Sequence, residues 1–129
     1  MSEFDVSRQR GLPVYLQIQA QIERRIAAGS LAPGDPLPSV RTLAKQLRIN
    51  PNTVVRVYRE LEFLGLVETR HGEGTFVAAG AQRRAKATVL VEEHAAAYVT
   101  AAKELGLDQG EAVAAIKAAW RKRDTAEVA

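Results

Sequence analysis

Asn50-Pro51 is the most constraining dipeptide in the chain. Asparagine is a favoured helix N-cap, and proline at the first helical position gives up an N–H that would be unbonded anyway. A helix must start here, so the one before it must already have ended. That earlier helix starts from Ser39, a second good N-cap, and Val40, Leu43, Ala44 and Leu47 follow at the spacing of one buried face. In the later helix Val54, Val57, Tyr58, Leu61 and Leu64 gather on one side. Asn52, Arg56 and Arg59 fall in a narrow arc on the other, flanked by Thr53 and Val55. Two helices joined by a turn of about three residues, the second displaying Asn and Arg outward, predict a helix-turn-helix.

The flanking segments extend this unit. Tyr15, Ile18, Ile22 and Ile26 recur at helical spacing after Pro13, predicting an amphipathic helix from about Pro13 to Ala28 with Gly29 as its C-terminal cap. Pro33-Gly34-Asp35 is a turn, and Pro36-Leu37-Pro38 can only be extended or an edge strand. Gly65 closes the helix-turn-helix. Leu66 to Arg70 and Thr75 to Val77 are short β-prone runs around His71-Gly72-Glu73-Gly74, which predicts a hairpin. Helix, helix-turn-helix and hairpin in that order make a winged helix over residues 1–80. The Ala, Gly, Gln and basic residues from Ala78 to Ala87 suggest a linker running into the next helix, with a domain boundary near Gly80.

Residues 81–129 predict a second region of two antiparallel helices. Leu90, His94, Ala97, Tyr98, Ala101 and Leu105 line one face of the first, which Gly106 stops. Asp108 caps the next with Glu111 three positions on, and Ala112, Val113, Ile116, Ala119 and Trp120 form its apolar face. Two helices of this size cannot bury both faces against each other alone. The leftover surface calls for a partner, most simply a second copy, which makes Leu90, His94, Tyr98, Leu105, Val113, Ile116 and Trp120 the expected dimer contacts. The expected fold class is mainly α with a small β-hairpin.

Composition narrows the function. The 129 residues give room for one small domain and an appendage, since domains usually span about 100 to 200 residues. With 47% hydrophobic and 26% charged residues the chain resembles a soluble folded protein. There is no apolar run of membrane-spanning length and no basic, apolar start of an export signal, so the expected location is the cytoplasm. With no Cys there are no disulfides or thiolate metal sites. The formal net charge is +3, but between Pro36 and Glu60 Arg41, Lys45, Arg48, Arg56 and Arg59 face Glu60 alone. That concentration of charge on a helix-turn-helix suits a nucleic-acid partner.

These residues resemble the GntR family of bacterial transcription regulators. The resemblance runs from about residue 8 to 78 through Leu12-Pro13-Val14-Tyr15-Leu16-Gln17-Ile18, Gly34-Asp35-Pro36-Leu37-Pro38-Ser39-Val40-Arg41, Asn50-Pro51-Asn52-Thr53-Val54, Tyr58-Arg59-Glu60-Leu61-Glu62 and Gly72-Glu73-Gly74-Thr75-Phe76-Val77. The Asn-Pro-Asn-Thr-Val turn and the short tail are similar to the YtrA-like subfamily, whose members dimerise through a compact helical appendage. FadR-like and HutC-like members carry effector domains of a hundred residues or more, and MocR-like members an aminotransferase with pyridoxal phosphate; about 50 residues after Gly80 hold none of these. The resemblance implies a DNA-binding homodimer with no enzyme activity and no cofactor. It places Arg41 at a DNA-contacting position, Asn50, Asn52, Thr53 and Arg56 in the recognition helix, and His71 and Gly72 at a wing tip that enters the minor groove. This chain departs from many relatives in carrying Pro51 and Val55 within that helix.

The residue chemistry sorts the candidates. Arg41 and Arg56 suit guanine O6 and N7, and Asn52 suits adenine N6 and N7, each good contact giving about 1 to 3 kcal/mol of discrimination. Lys45, Arg48 and Arg59 fit phosphate or solvent, and Asn50 is a cap that can also touch phosphate. Arg70 and His71 make a basic tip suited to a narrow groove, which Glu73 opposes. His94 fits helix packing better than metal binding, because the chain has two His and no Cys. The expected function is a repressor binding a pseudo-palindromic operator as a homodimer. The rival is a winged-helix protein-interaction module without sequence-specific DNA binding. The residues name no operator and no small-molecule effector.

Overall fold

A computed structural model describes residues 4–8 and 11–128, and the chain falls into two compact units, Met1–Leu90 and Val91–Ala129. The first unit contains α1 (Val14–Ala28), α2 (Val40–Leu47), α3 (Pro51–Phe63), β1 (Val67–Arg70) and β2 (Gly74–Val77). Helix α4 (Ala81–Glu104) begins in it, and α5 (Gln109–Val128) lies in the second unit.

The expected caps close the helices of the first unit. The Ser39 hydroxyl accepts from the Thr42 N–H at the start of α2, and the Asn50 side chain accepts from the Asn52 N–H with Pro51 at the first position of α3. Gly29 ends α1 in the left-handed conformation. The apolar faces then converge: Ile18, Ile22 and Ile26 of α1 share one core with Leu43, Ala44 and Leu47 of α2 and Val54, Val57, Tyr58 and Leu61 of α3. Leu66, Val67 and Val77 extend that core beneath the hairpin.

β1 and β2 pair antiparallel with Val67 opposite Val77 and Arg70 opposite Gly74. The extended Pro36-Leu37 segment lies on the other edge of β2. Its Leu37 N–H donates to the Thr75 carbonyl at 2.8 Å, and Val77 N–H donates to the Asp35 carbonyl at 2.9 Å. Prolines are tolerated there because an edge strand needs only alternate N–H groups in the ladder.

One expectation needs correction. The stretch from Ala78 to Ala87 is not a linker: it is helical from Ala81, and Ala81 and Ala85 are buried in the core of the first unit. Their spacing of four places both methyl groups on one helix face. Further along this turn, Gln82 donates to the Ala27 carbonyl and Arg84 to the Gly65 carbonyl. The first unit accordingly extends beyond Gly80, to Leu90.

The segment before α1 is also tied down. Phe4 is buried in the core with the Arg25 guanidinium 4.3 Å above its ring. Gln17, itself buried, accepts from Ser7 N–H and donates to the Ser7 and Leu12 carbonyls. A buried primary amide is stable only when its donors and acceptor are occupied, and here the backbone of this segment occupies them.

In the second unit, residues 105–108 link α4 to α5. Asp108 and Glu111 form a reciprocal capping box: Glu111 N–H donates to Asp108 Oδ1 at 2.8 Å, and Asp108 N–H to Glu111 Oε1 at 3.1 Å. The Tyr98 hydroxyl donates to the Ala112 carbonyl at 2.7 Å, which ties the two helices together. Ala102 is the one buried side chain among the described residues of this unit. No helix among the described residues is long and apolar enough to cross a membrane.

Candidate nucleic-acid interface

The cations of the helix-turn-helix all point away from the core. Arg41 and Lys45 on α2, Arg48 in the turn, and Arg56 and Arg59 on α3 are exposed, because the opposite faces of both helices are committed to the core. Among the described residues none of the five forms an ion pair. Asn52 is exposed beside Arg56 and Arg59, whereas Thr53 is half-buried. Asn50 has its side-chain oxygen occupied as a cap, which leaves its amide N–H groups as the free part.

Two basic residues are held in particular ways. Arg48 ends α2 with φ 56°, the one left-handed residue other than glycine among the described residues. Its carbonyl accepts from Arg8 Nη2 at 3.1 Å, so the segment before α1 reaches the helix-turn-helix corner. Arg56 lies with its guanidinium 3.6 Å from the centre of the Tyr15 ring on α1. Periodicity puts Tyr15 with the core-facing isoleucines of α1, but the side chain is only half-buried because one ring face supports Arg56.

The hairpin is fastened to α3 by Glu62, whose carboxylate accepts from Thr69 N–H at 3.1 Å. His71, Gly72 and Glu73 form its exposed tip, and Gly72 supplies the positive φ of 78° that the turn requires. Arg70 is turned back along the strand. It donates through Nη2 to Glu68 Oε1 at 2.9 Å and through Nε to the same oxygen at 3.2 Å, while lying 4.2 Å over the Phe76 ring. Residues two apart on a strand share a face, and Glu68 is opposite Phe76 in the ladder, so alternation carries the signal for this cluster. Spacing within one element carries no comparable signal for the Tyr15 platform or for Arg8.

Tyr58 underpins the interface from behind. Its hydroxyl donates to the Pro38 carbonyl at 2.6 Å, joining α3 to the extended segment ahead of α2. Burial pushes its phenol above the ordinary range, since the phenolate cannot be solvated there.

The expected partner surface of the other region is open. Leu90, Leu105, Val113, Ile116 and Trp120 are exposed, as is His94, and Tyr98 is half-buried. No cluster of three or more potential metal ligands occurs among the described residues.

The model of the bacterial regulatory proteins of the gntR family matches residues 14–77, which span α1 through β2. The chain is also 46% identical over 110 residues to the uncharacterised HTH-type transcriptional regulator YhcF of Bacillus subtilis, covering 84% of this chain and 91% of that protein. This chain belongs to the gntR family. Among solved structures, YtrA from Sulfolobus acidocaldarius, a GntR-family transcription factor, superposes with a TM-score of 0.57 at 32% identity, over 73% of this chain and 99% of that one. The DNA-binding domain of AraR, solved in complex with operator ORX1, superposes with a TM-score of 0.53 at 27% identity, over 57% of this chain and 94% of that one. The chain is thus a GntR-family transcriptional regulator with a YtrA-type relative, and its mainly helical winged-helix architecture is the one expected from its sequence.

Proposed function

We propose that this GntR-family regulator is a homodimeric, sequence-specific repressor that acts in the cytoplasm and has no catalytic role. Residues 1–80 supply most of the DNA-reading winged helix, and residues 81–129 supply the surface through which two copies associate. The observation that carries the reading is the set of five outward cations on α2, the turn and α3, none neutralised by a carboxylate among the described residues. Surface cations of a protein without a polyanionic partner are commonly interspersed with acidic groups. Here the acidic residues of these elements, Glu60 and Glu62, are confined to the last turn of α3, and Glu62 accepts from Thr69 N–H.

Helix α3 enters the major groove with Asn52, Thr53 and Arg56 toward base edges, while Lys45, Asn50 and Arg59 meet phosphates. Arg41 reaches base edges from the start of α2. His71 and Gly72 at the hairpin tip follow the minor groove, and Arg70 joins them once it leaves Glu68. Repression then follows from exclusion of polymerase at the operator.

The test is selection of bound duplexes from a random pool by the full chain, followed by salt titration on the selected sequence. An enriched common sequence is expected, with affinity falling linearly in log–log form at a slope of about −0.9 per neutralised phosphate. Arg41→Ala is expected to relax the preference at the bases it reads, whereas Lys45→Ala weakens all duplexes alike. A pool that remains featureless would instead support a protein-interaction module.

A further inference from the structure

Arg56 and Arg70 are each stacked on an aromatic ring, but they differ in what their N–H groups do. Arg70 spends its donors on Glu68. Among the described residues, Arg56 has no hydrogen-bond or ion-pair partner; its contact is the Tyr15 ring at 3.6 Å. A stack of this kind uses the π face of the guanidinium and leaves the in-plane donors available. Those in-plane donors pair bidentately with phosphate oxygens or with guanine O6 and N7.

We infer that Tyr15 is a positioning residue for DNA recognition: from α1, outside the helix-turn-helix, it holds Arg56 flat with its donor edge free for the duplex. The inference rests on the DNA-binding reading given above. Its physical basis is pre-organisation. An unsupported arginine has many rotamers, and ordering them on binding lowers affinity. The platform is itself well anchored, because Leu16 and Gln17 N–H groups bond to the Pro13 carbonyl at the start of α1, and Ile18 and Ile22 lie in the core alongside Val54 and Val57 of α3. The core thereby fixes the relation between the ring and the arginine.

The experiment measures binding of the full chain to its pool-selected duplex for Tyr15→Leu, Tyr15→Phe, Arg56→Ala and the Tyr15→Leu, Arg56→Ala double variant, with thermal unfolding of each as a control. Tyr15→Leu is expected to weaken binding about tenfold, and Tyr15→Phe, which keeps the ring, by no more than about twofold. In the Arg56→Ala background Tyr15→Leu is expected to add nothing. Arg56→Lys leaves the α1 packing untouched, keeps the charge and loses the planar stack, so it is expected to bind several-fold more weakly. In the free protein, the Arg56 Hε resonance is expected upfield from the ring current, in Tyr15→Phe as in the parent chain, and to lose that shift in Tyr15→Leu. Equal losses from Tyr15→Leu in both backgrounds, parental binding by Arg56→Lys, or a Tyr15→Phe variant as weak as Tyr15→Leu would each overturn the inference while leaving the DNA-binding reading in place. A full chain that selects no duplex overturns that reading and the inference with it.

Discussion

In the first unit Ile18, Ile22, Ile26, Val54, Val57 and Leu61 are all fully buried within one chain, whereas in the second Leu105, Ile116 and Trp120 remain 78%, 48% and 71% exposed. Both units are built of helices, and α2 and α3 of the first and α5 of the second all start from side-chain caps, so helix initiation does not distinguish them. The difference lies in the number of elements available to cover an apolar face. Three helices, a hairpin and the start of α4 enclose the first core; the second unit has only the end of α4 and α5. A pair of helices leaves apolar area in water at a cost of about 25 cal/mol per Å², which association can recover. The first unit thus has the means to fold on its own contacts, and the second has reason to find a partner.

That contrast is most sharply tested by matched truncations. Leu61→Ala in the first core is expected to cost about 2 to 5 kcal/mol in urea unfolding, independent of protein concentration. Ile116→Ala is expected to act mainly through association, flattening the concentration dependence of the melting temperature. A concentration-dependent penalty for Leu61→Ala, or a purely intramolecular one for Ile116→Ala, would erase the distinction.

Tyr58→Phe is the next largest effect. It strands the Pro38 carbonyl and is expected to cost about 1 to 2 kcal/mol. The raised phenol adds a pH signature. Its folded pKa exceeds the ordinary value of 10.0, so the stability it contributes is complete below that pH and is lost as the pH rises toward the folded value. Urea midpoints measured from pH 8 to 11 should fall more steeply for the parent chain than for Tyr58→Phe; parallel curves would show that the buried phenol is not the source.

Arg48→Gly relieves a left-handed residue. The relief of about 1 to 2 kcal/mol offsets the roughly 0.4 to 1 kcal/mol of added freedom in the unfolded chain, so stability should rise by up to about 1.6 kcal/mol. A loss of stability would mean that the Arg48 side chain contributes more than its backbone strain costs. Glu68→Ala should change stability least, by under about 1 kcal/mol, because its ion pair with Arg70 is solvent-exposed. It frees a cation on the hairpin, and the salt slope of duplex binding should steepen by up to about one unit. An unchanged slope would leave Arg70 out of the interface.

The elements set by local chemistry were legible in the sequence. Ser39, Asn50-Pro51 and the Asp108–Glu111 pair announced their helix starts, and alternation together with the glycines announced the hairpin. What remained hidden depends on contacts between distant segments. Nothing near Phe4 signals that it enters the core, and Gln17 reads as a polar face residue until the preceding backbone is seen to occupy its amide. The helical start of α4 was masked by its alanines and basic residues, which resemble a linker in composition although Ala81 and Ala85 share a face. In the candidate interface, the outward placement of Asn52, Arg56 and Arg59 followed from helical period, and Arg41 from the family resemblance. The stacking of Arg56 on Tyr15 and the retention of Arg70 by Glu68 needed the tertiary structure.

The proposed division of labour gives DNA reading to the first unit and the pairing of two readers on one site to the second. Its most direct test is the mass of the complex on the selected duplex, measured by light scattering with the full chain. Two chains per duplex are predicted, on a site of two inverted halves about one helical turn apart. One chain per duplex, or a single unrepeated half-site, would contradict it.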